Sequence, residues 1–221
     1  MRIFVTLTTR PERLISDHFR KVFKSLQAQT LPFDKLILNL SYKEFTYVVP
    51  EYLYEDLRIQ IHDTEICGPC AKLLGSIDII PENTVVIVMD DDIVMRPNFI
   101  QSLYDSYLAN PMCVSSHFIN QRPNFVEVAG FGGYIFHRDR LAKIGQFYET
   151  MPPCCRTIDD TWLSWCMKKL GVPVVQTIEK QAWQRVLDIP NTDPHPDWYE
   201  LCKHSNRQKV LEEALQLLCI P

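Results

Sequence analysis

Residues 85–92 read Val-Val-Ile-Val-Met-Asp-Asp-Asp, so an apolar run leads directly into three carboxylates. Five consecutive apolar residues are typical of a strand that is covered on both faces, as in a parallel sheet. Asp90, Asp91 and Asp92 should then lie at the carboxyl end of that strand, where open α/β sheets bind ligands. Adjacent carboxylates repel one another, and a divalent cation that bridges to a phosphate relieves the repulsion. The alternative is a solvated acidic loop that caps the next helix.

The composition is that of an ordinary globular domain. The chain has 221 residues, of which 46% are hydrophobic and 23% are charged, and its formal net charge is −4. The mild acidity argues against nucleic acid as a partner, because phosphate backbones bind basic surfaces. No apolar run approaches the roughly 18 residues of a membrane span, and the first residues show no signal-peptide pattern. We therefore expect a cytoplasmic protein without a membrane span.

Strands and helices alternate along the chain, which predicts an α/β sheet. No boundary divides the sequence sharply, so we expect a single domain. Thr8 or Thr9 is the expected N-cap of the first helix, which should begin near Pro11. The expected strands are 2–7, 35–40, 58–62, 85–89, 113–117, 134–136 and 172–176, and the later helices are 68–80, 97–107, 139–144, 160–170 and 207–218.

The eight cysteines do not establish a disulfide framework or a zinc site, because no two close pairs stand at ligand spacing. Most of them are expected to be buried free thiols. The exception to consider is Cys67-Gly68-Pro69-Cys70, which matches the thioredoxin tetrapeptide and precedes a predicted helix that would stabilise a thiolate. The thioredoxin scaffold is not recognisable around it. A thiol–disulfide oxidoreductase that uses Cys67 and Cys70 is therefore an alternative function.

Two basic residues are candidates for binding a phosphate. Arg10 follows the first strand, where an arginine can bind a phosphate bidentately, although Arg10 can also pair with Glu12. Lys72 lies one turn into the helix that follows Gly68-Pro69, and its ammonium can reach the same crevice. The alternative for an isolated lysine is a solvated side chain.

Acidic and histidine residues in the second half of the chain provide further candidates. Asp159 and Asp160 begin a predicted helix, where one carboxylate can cap the helix and the other can act as a general base. Repulsion between the two raises one pKa toward neutrality. His195, in a proline-rich loop, is a candidate third ligand for a metal already held by carboxylates, and His204 is a weaker one. An exposed loop histidine is the alternative.

Together these segments resemble those of nucleotide-sugar-dependent glycosyltransferases of the GT-A fold, and they occur in the family's order. They are Leu7–Arg13, Ser25–Thr30, Gly68-Pro69 with Lys72–Leu74, the DXD-like Met89–Ile93, the glycine-rich turn Gly130–Phe136, and the acidic pair Asp159–Asp160. The resemblance implies a central, mostly parallel sheet flanked by helices. It also implies one catalytic domain, with a nucleotide-binding half at about 1–95 and an acceptor half at about 96–221.

For the donor, the resemblance implies a UDP- or GDP-sugar. Thr8 and Arg10 should contact the nucleotide, Lys72 should contact its phosphates, and Asp91 should face the ribose or the donor sugar. These assignments place the whole nucleotide against the first half of the chain.

The resemblance further implies a cation and a base. Asp90 and Asp92 correspond to the carboxylates that hold Mn²⁺ or Mg²⁺ against the diphosphate, with His195 as a third ligand. Asp160, with Asp159 behind it, should remove the proton of the acceptor hydroxyl, as in inverting members of the family.

The sequence thus predicts a metal-dependent glycosyltransferase that acts on a glycan or glycoconjugate acceptor. Besides the oxidoreductase, a non-catalytic nucleotide-sugar-binding module remains an alternative. A metal-dependent nucleotidyltransferase would also use carboxylates at a strand end, but the chain contains no glycine-rich basic triphosphate loop to support it.

Overall fold

The structure, a computed structural model, describes residues 1–177, 186–188 and 206–218. Its strands are β1 (Arg2–Thr8), β2 (Lys35–Leu40), β3 (Ile59–Asp63), β4 (Thr84–Val88), β5 (Val94–Met95), β6 (Val114–Ser116), β7 (Ile119–Gln121), β8 (Val126–Val128), β9 (Tyr134–His137), β10 (Val174–Gln176) and β11 (Leu187–Asp188). Its helices are α1 (Pro11–Leu14), α2 (Asp17–Gln27), α3 (Ala71–Leu74), α4 (Phe99–Ala109), α5 (Asp159–Lys169) and α6 (Asn206–Leu218). Short 3₁₀ turns cover Glu51–Leu53, Gly130–Gly132, Arg138–Arg140, Ile144–Thr150 and Pro153–Thr157.

Seven of these strands form the central sheet, in the order β10-β6-β9-β4-β1-β2-β3. Neighbouring strands are parallel except that β9 runs antiparallel to both β4 and β6. Strands β7 and β8 form an antiparallel pair of their own, and β5 pairs with β11. The expected α/β fold with a mostly parallel central sheet is therefore confirmed.

The sheet is covered on both faces, as the apolar run before the aspartates predicts. Every residue of β4 is buried, with Val85 and Ile87 in the core on one face and Val86 and Val88 in the core on the other. Helices α2 and α4 supply the first core, whereas α3, α5 and α6 supply the second. None of the described helices is both long and apolar enough to cross a membrane.

The strand order places a reversal point of the sheet between β1 and β4. Strand β1 lies between β2 and β4, so the chain progresses along the sheet in one direction from β1 to β3 and returns to the other side of β1 with β4. Ligands of open α/β sheets bind outside such a reversal point. The turn after β1 carries Arg10 and Arg13, and the segment after β4 carries Asp90–Asp92.

The expected N-cap of the first helix is wrong. Thr8 still belongs to β1, and Arg10 occupies the N-cap position of the short helix α1 without a side-chain cap. The chain then bends and begins α2, where the Ser16 hydroxyl accepts a hydrogen bond from the Phe19 amide at 3.1 Å. The serine was not predicted because the apolar spacing of residues 14–26 resembles one continuous helix.

The expected helix over 68–80 is also too long. Only α3 is regular, because the Ser76 amide bonds to the Leu73 carbonyl at 3.4 Å rather than to the Lys72 carbonyl. Strands β5, β7, β8 and β11 were not predicted, since segments of two or three residues carry no readable alternation.

Candidate active site

One buried ammonium joins the two halves of the chain. Lys72 Nζ donates hydrogen bonds to Asp90 Oδ1 and to Asp160 Oδ1, each at 2.7 Å. The same ammonium lies 2.9 Å from Asp159 Oδ2 as an ionic contact without hydrogen-bond geometry. The Lys72 side chain is 3% exposed. We call these four residues the ion cluster; it links the end of β4, helix α3 and the first turn of α5.

The glycine-rich turn passes directly over the ion cluster. The Gly130 amide donates to Asp160 Oδ2 at 2.8 Å, and the Gly130 carbonyl accepts from the Asp90 amide at 3.0 Å. A Cβ at this position would lie closer than van der Waals contact to both Asp90 Oδ1 and Lys72 Nζ. Glycine is therefore needed here for a close approach of backbone to charged groups.

The first turn of α5 is anchored from the side rather than by a cap. The N-cap position is Ile158, so neither Asp159 nor Asp160 caps the helix. Instead, the Ser164 hydroxyl donates to the Asp160 carbonyl at 2.6 Å and accepts from the Val128 amide at 2.9 Å. Neither carboxylate is used as the N-cap, and both face Lys72. Their negative charge also interacts favourably with the positive end of the helix dipole.

A second cation, Arg13, balances the other aspartates. Its guanidinium Nη1 binds Asp91 Oδ1 and lies 3.7 Å from Asp92 Oδ2. The Asp92 carbonyl also bonds to His18 Nε2 at 2.7 Å. Asp91 is thereby buried against the turn that follows β1, whereas Asp90 belongs to the ion cluster.

The site holds more negative than positive charge. The segments Asp90–Asp92 and Asp159–Asp160 contribute five carboxylates, and Lys72 and Arg13 contribute two cations, so full ionisation leaves a charge of −3. Burial lowers the pKa of Lys72, but the surrounding carboxylates outweigh it and raise that pKa well above its usual value. The lysine therefore stays protonated.

The pKa values of four of these carboxyl groups, Asp91, Asp92, Asp159 and Asp160, are raised, with burial as the largest cause in each. Burial raises the pKa of Asp160 to about 7, with a smaller opposing effect of Lys72 and a further increase from Asp159. Burial also raises the pKa of Asp92 to about 7, assisted by repulsion from Asp90 and Asp91. Both groups consequently change charge near neutral pH.

The residues present fit a divalent cation only in part. Asp92 Oδ1 is buried and has no hydrogen-bond partner among the described residues, and the surplus negative charge favours a cation beside it. Within residues 1–177, 186–188 and 206–218, however, no three His, Cys, Asp or Glu side chains form a ready-made metal site. Asp90 and Asp92 would thus supply two carboxylates to a cation, and oxygen atoms of a bound diphosphate would complete its coordination. His195 lies outside the described residues.

The structure brings together some of the predicted site residues and separates others. Lys72, Asp90, Asp159 and Asp160 meet in the ion cluster. Arg10 is exposed and its Nε lies 3.7 Å from Glu12 Oε2, as the alternative interpretation expected. Its guanidinium also lies over the ring of Phe45.

Thr8 lies at the carboxyl end of β1 with its hydroxyl bonded to the Asn39 carbonyl at 2.7 Å. The contacts of Thr8 and Arg10 with a nucleotide therefore remain predictions.

Sequence reasoning assigned no role to Arg13 or to the Gly130 amide. A signal for Arg13 existed, because the turns after β1 and β4 adjoin at the reversal point of a parallel sheet. Any basic residue in the first turn could then meet the aspartates. No sequence signal identified the Gly130 amide as a donor to Asp160.

The thiols do not support the oxidoreductase alternative. Cys67 and Cys70 are both free, and Cys70 is 1% exposed. Burial raises the pKa of Cys70 to about 12, so this thiol stays protonated at neutral pH and is not itself an activated nucleophile.

Comparisons with known proteins bear on the fold. No protein-family model and no curated protein matches the sequence. Among solved structures, the 2-C-methyl-D-erythritol 4-phosphate cytidylyltransferase of Francisella tularensis is similar, with 12% identity, a TM-score of 0.50, and coverage of 91% of this chain and 97% of that one. A mannosyltransferase of Pyrobaculum calidifontis, solved with GDP-Man and Mn²⁺, shares 14% identity at a TM-score of 0.57. That alignment covers 83% of this chain and 59% of the mannosyltransferase.

The chain has a GT-A-like fold. TarS of S. aureus shows the same likeness, with 15% identity and a TM-score of 0.51 over 76% of this chain and 55% of that one. The GT-A-like sheet carries the ion cluster at its carboxyl edge, where this fold class binds ligands.

We expect Gly130→Ala to destabilise the protein by about 1–3 kcal/mol, as overpacking of a filled site does. The added methyl group must displace Asp90 or Lys72. Thermal unfolding of this variant should be compared with Gly145→Ala, where a Cβ meets no atom within 4 Å. Equal melting temperatures for the two variants would contradict the close approach described here.

The raised pKa of Asp92 has a consequence for stability in metal-free buffer. Its pKa of about 7 in the folded protein exceeds the ordinary 3.8. At pH values between these two, the folded protein holds a proton that the unfolded chain has released. By linkage, the stability contribution of this carboxyl is greatest at low pH and is lost as the pH rises through 7.

We therefore expect Asp92→Asn, with EDTA present, to raise the melting temperature more at pH 8 than at pH 5. One kcal/mol corresponds to about 2–4 °C for a chain of this size. The exposed Asp78 provides the control variant Asp78→Asn. A gain that is independent of pH, or equal in the control, would show that Asp92 is not strained by its neighbours.

Proposed function

We propose that this protein is a metal-dependent glycosyltransferase that moves a sugar from a UDP- or GDP-sugar to a hydroxyl group of a glycan or glycoconjugate, with inversion. The observation that carries the proposal is the ion cluster. Asp90, at the donor side of the fold, and Asp160, the proposed base, both bond to the same ammonium at 2.7 Å. This shared contact supports the proposal, because a donor group at Asp90 and an acceptor group at Asp160 would lie close to one reacting centre.

The proposed donor side is the edge of the sheet beyond the carboxyl ends of β1 and β4. Asp90 and Asp92 would hold Mn²⁺ or Mg²⁺, which as a Lewis acid stabilises the charge of a departing diphosphate. Lys72, whose ammonium is bonded to Asp90 and Asp160, would add positive charge beside the same phosphates. The turn at Thr8 and Arg10 would contact the nucleotide. From the resemblance, Asp91 would face the ribose or the donor sugar; in the structure its side chain is buried and bonded to Arg13.

The acceptor side consists of the start of α5. Asp160 is the better candidate base, since its side chain is 25% exposed against 10% for Asp159. Its pKa of about 7 suits proton transfer at neutral pH. Asp159 would keep Lys72 in place behind it. His195 is retained as a proposed third metal ligand.

A nucleotidyltransferase is the second candidate, because the cytidylyltransferase neighbour is covered over 97% of its length whereas the mannosyltransferase is covered over 59%. Against it, the turn after β1 contains no glycine, and Arg13 within that turn is engaged by Asp91. The products separate the two candidates. A glycosyltransferase releases a nucleoside diphosphate from its sugar nucleotide, whereas a nucleotidyltransferase releases pyrophosphate from a nucleoside triphosphate.

We expect UDP- or GDP-sugar to bind in calorimetric titrations with Mn²⁺ and to bind at least tenfold more weakly with EDTA, a difference of about 1.4 kcal/mol. Asp92→Asn should remove the effect of Mn²⁺, and the exposed control Asp78→Asn should keep it. If no sugar nucleotide binds in the presence of Mn²⁺, the proposal fails.

We expect Asp160→Asn to bind the donor as the parent does and to lose transfer by about 10²–10⁴-fold, the usual effect of removing a general base. The parent's rate should fall as the pH drops below 7, because protonation of Asp160 removes the base. Release of nucleoside diphosphate measures the transfer rate of the variant and the pH dependence of the parent's rate. A fully active Asp160→Asn would reassign the base, and donor binding without any turnover, even to water, would favour a non-catalytic binding module.

A further inference from the structure

A buried polar triad lies between the sheet and α3. Thr6 on β1, Asn39 on β2 and Ser76 after α3 are each at most 1% exposed. The preceding residues on the same face of the two strands, Phe4 and Ile37, belong to the apolar core. The apolar pattern is thus interrupted near the carboxyl edge by polar groups, whose burial costs free energy unless hydrogen bonds compensate it.

The triad bonds to the backbone of the lysine in the ion cluster. The Thr6 hydroxyl donates to the Lys72 carbonyl at 2.7 Å. In a regular α-helix this carbonyl would accept from the Ser76 amide, but that amide bonds to the Leu73 carbonyl instead. The carbonyl of Lys72 is therefore bonded to a side chain of strand β1, whereas the amide of Lys72 bonds to the Pro69 carbonyl at 3.2 Å.

The hydrogen positions in the triad follow from its geometry. The Thr6 hydroxyl has one hydrogen, which points to the Lys72 carbonyl, and two lone pairs. The Ser76 hydroxyl and Asn39 Nδ2 both lie 2.8 Å from Thr6 Oγ1 and must be the donors to these lone pairs. Asn39 Nδ2 also lies 3.3 Å from the Leu7 carbonyl, which orients the amide. The full capacity of the Thr6 hydroxyl is used in a single arrangement.

We propose that Thr6, oriented by Asn39 and Ser76, is a positioning residue for Lys72. By fixing the lysine backbone it places Nζ within reach of Asp90 and Asp160. A lysine side chain has four rotatable bonds, so an anchored backbone reduces the entropy that must be lost to hold the ammonium in place. The role of Lys72 in catalysis rests on the proposed function, whereas its placement by Thr6 does not.

The test compares three threonine variants in EDTA by the rate at which acetic anhydride modifies Lys72, followed by mass spectrometry. Thr6→Val keeps the shape and removes the donor, and Thr6→Ser keeps the donor. The control is Thr84→Val, because Thr84 is equally buried in β4 at the opposite edge, where its hydroxyl bonds to the Glu82 carbonyl at 3.4 Å.

We expect Thr6→Val to increase the modification rate of Lys72 by about fivefold or more, the equivalent of one lost hydrogen bond. Thr6→Ser and Thr84→Val should stay near the parent rate. If Lys72 is modified no faster in Thr6→Val than in the parent, or if its modification rate increases equally in Thr84→Val, the triad is only part of the core and the proposal is overturned. If Thr6→Val does not fold, Ser76→Ala replaces it, because this variant removes one donor to Thr6. Ser76→Ala should also increase the modification rate of Lys72. An unchanged rate in Ser76→Ala would overturn the proposal as well.

A second readout links the placement to the reaction. Thr6→Val should lower kcat for release of nucleoside diphosphate and raise KM for the donor, because Lys72 is proposed to lie beside the donor's phosphates, and Thr6→Ser should restore both; KM for the acceptor should stay nearly unchanged. A parent protein without turnover would remove the proposed function, and lysine modification would still decide whether Thr6 positions Lys72.

Discussion

The site depends on one interaction, the burial of a single ammonium among three carboxylates. Lys72 has almost no contact with solvent, and an unpaired charge in such a place is strongly unfavourable. Asp90, Asp159 and Asp160 supply the compensating charge, and Lys72 in turn reduces their mutual repulsion. Removal of one partner of a buried ion pair typically costs about 3–5 kcal/mol. The end of β4, helix α3 and the start of α5 are therefore held together by electrostatics as well as by apolar packing.

The same arrangement leaves negative charge in excess. Lys72 and Arg13 neutralise part of it, while Asp92 retains a buried oxygen without a partner among the described residues. Replacement of some of these carboxylates by neutral residues would stabilise the fold. Residues that lower the stability of a protein are usually retained where its function needs them. The excess is the physical basis for proposing a cation and a diphosphate at this edge of the sheet.

Much of the fold could be predicted from the sequence. The apolar run before Asp90 predicts a doubly covered strand, and the position of the aspartates follows from it. The extent of α3 could not be predicted, because the local sequence does not show that the Lys72 carbonyl bonds to the Thr6 hydroxyl of β1 instead of to the Ser76 amide. The sequence also did not show whether Arg10 or Arg13 meets the aspartates, because the two lie three residues apart. In the structure, α1 directs Arg13 toward Asp91 and leaves Arg10 in solvent. Such outcomes depend on tertiary geometry that local patterns do not contain.

The central claim is that this acidic edge binds a divalent cation together with a diphosphate. A crystal structure of the protein grown with Mn²⁺ and UDP or GDP tests it most directly. The account predicts anomalous density for manganese in contact with carboxylate oxygens of Asp90 and Asp92 and with the diphosphate. An ordered nucleotide elsewhere, or manganese remote from both aspartates, would contradict it.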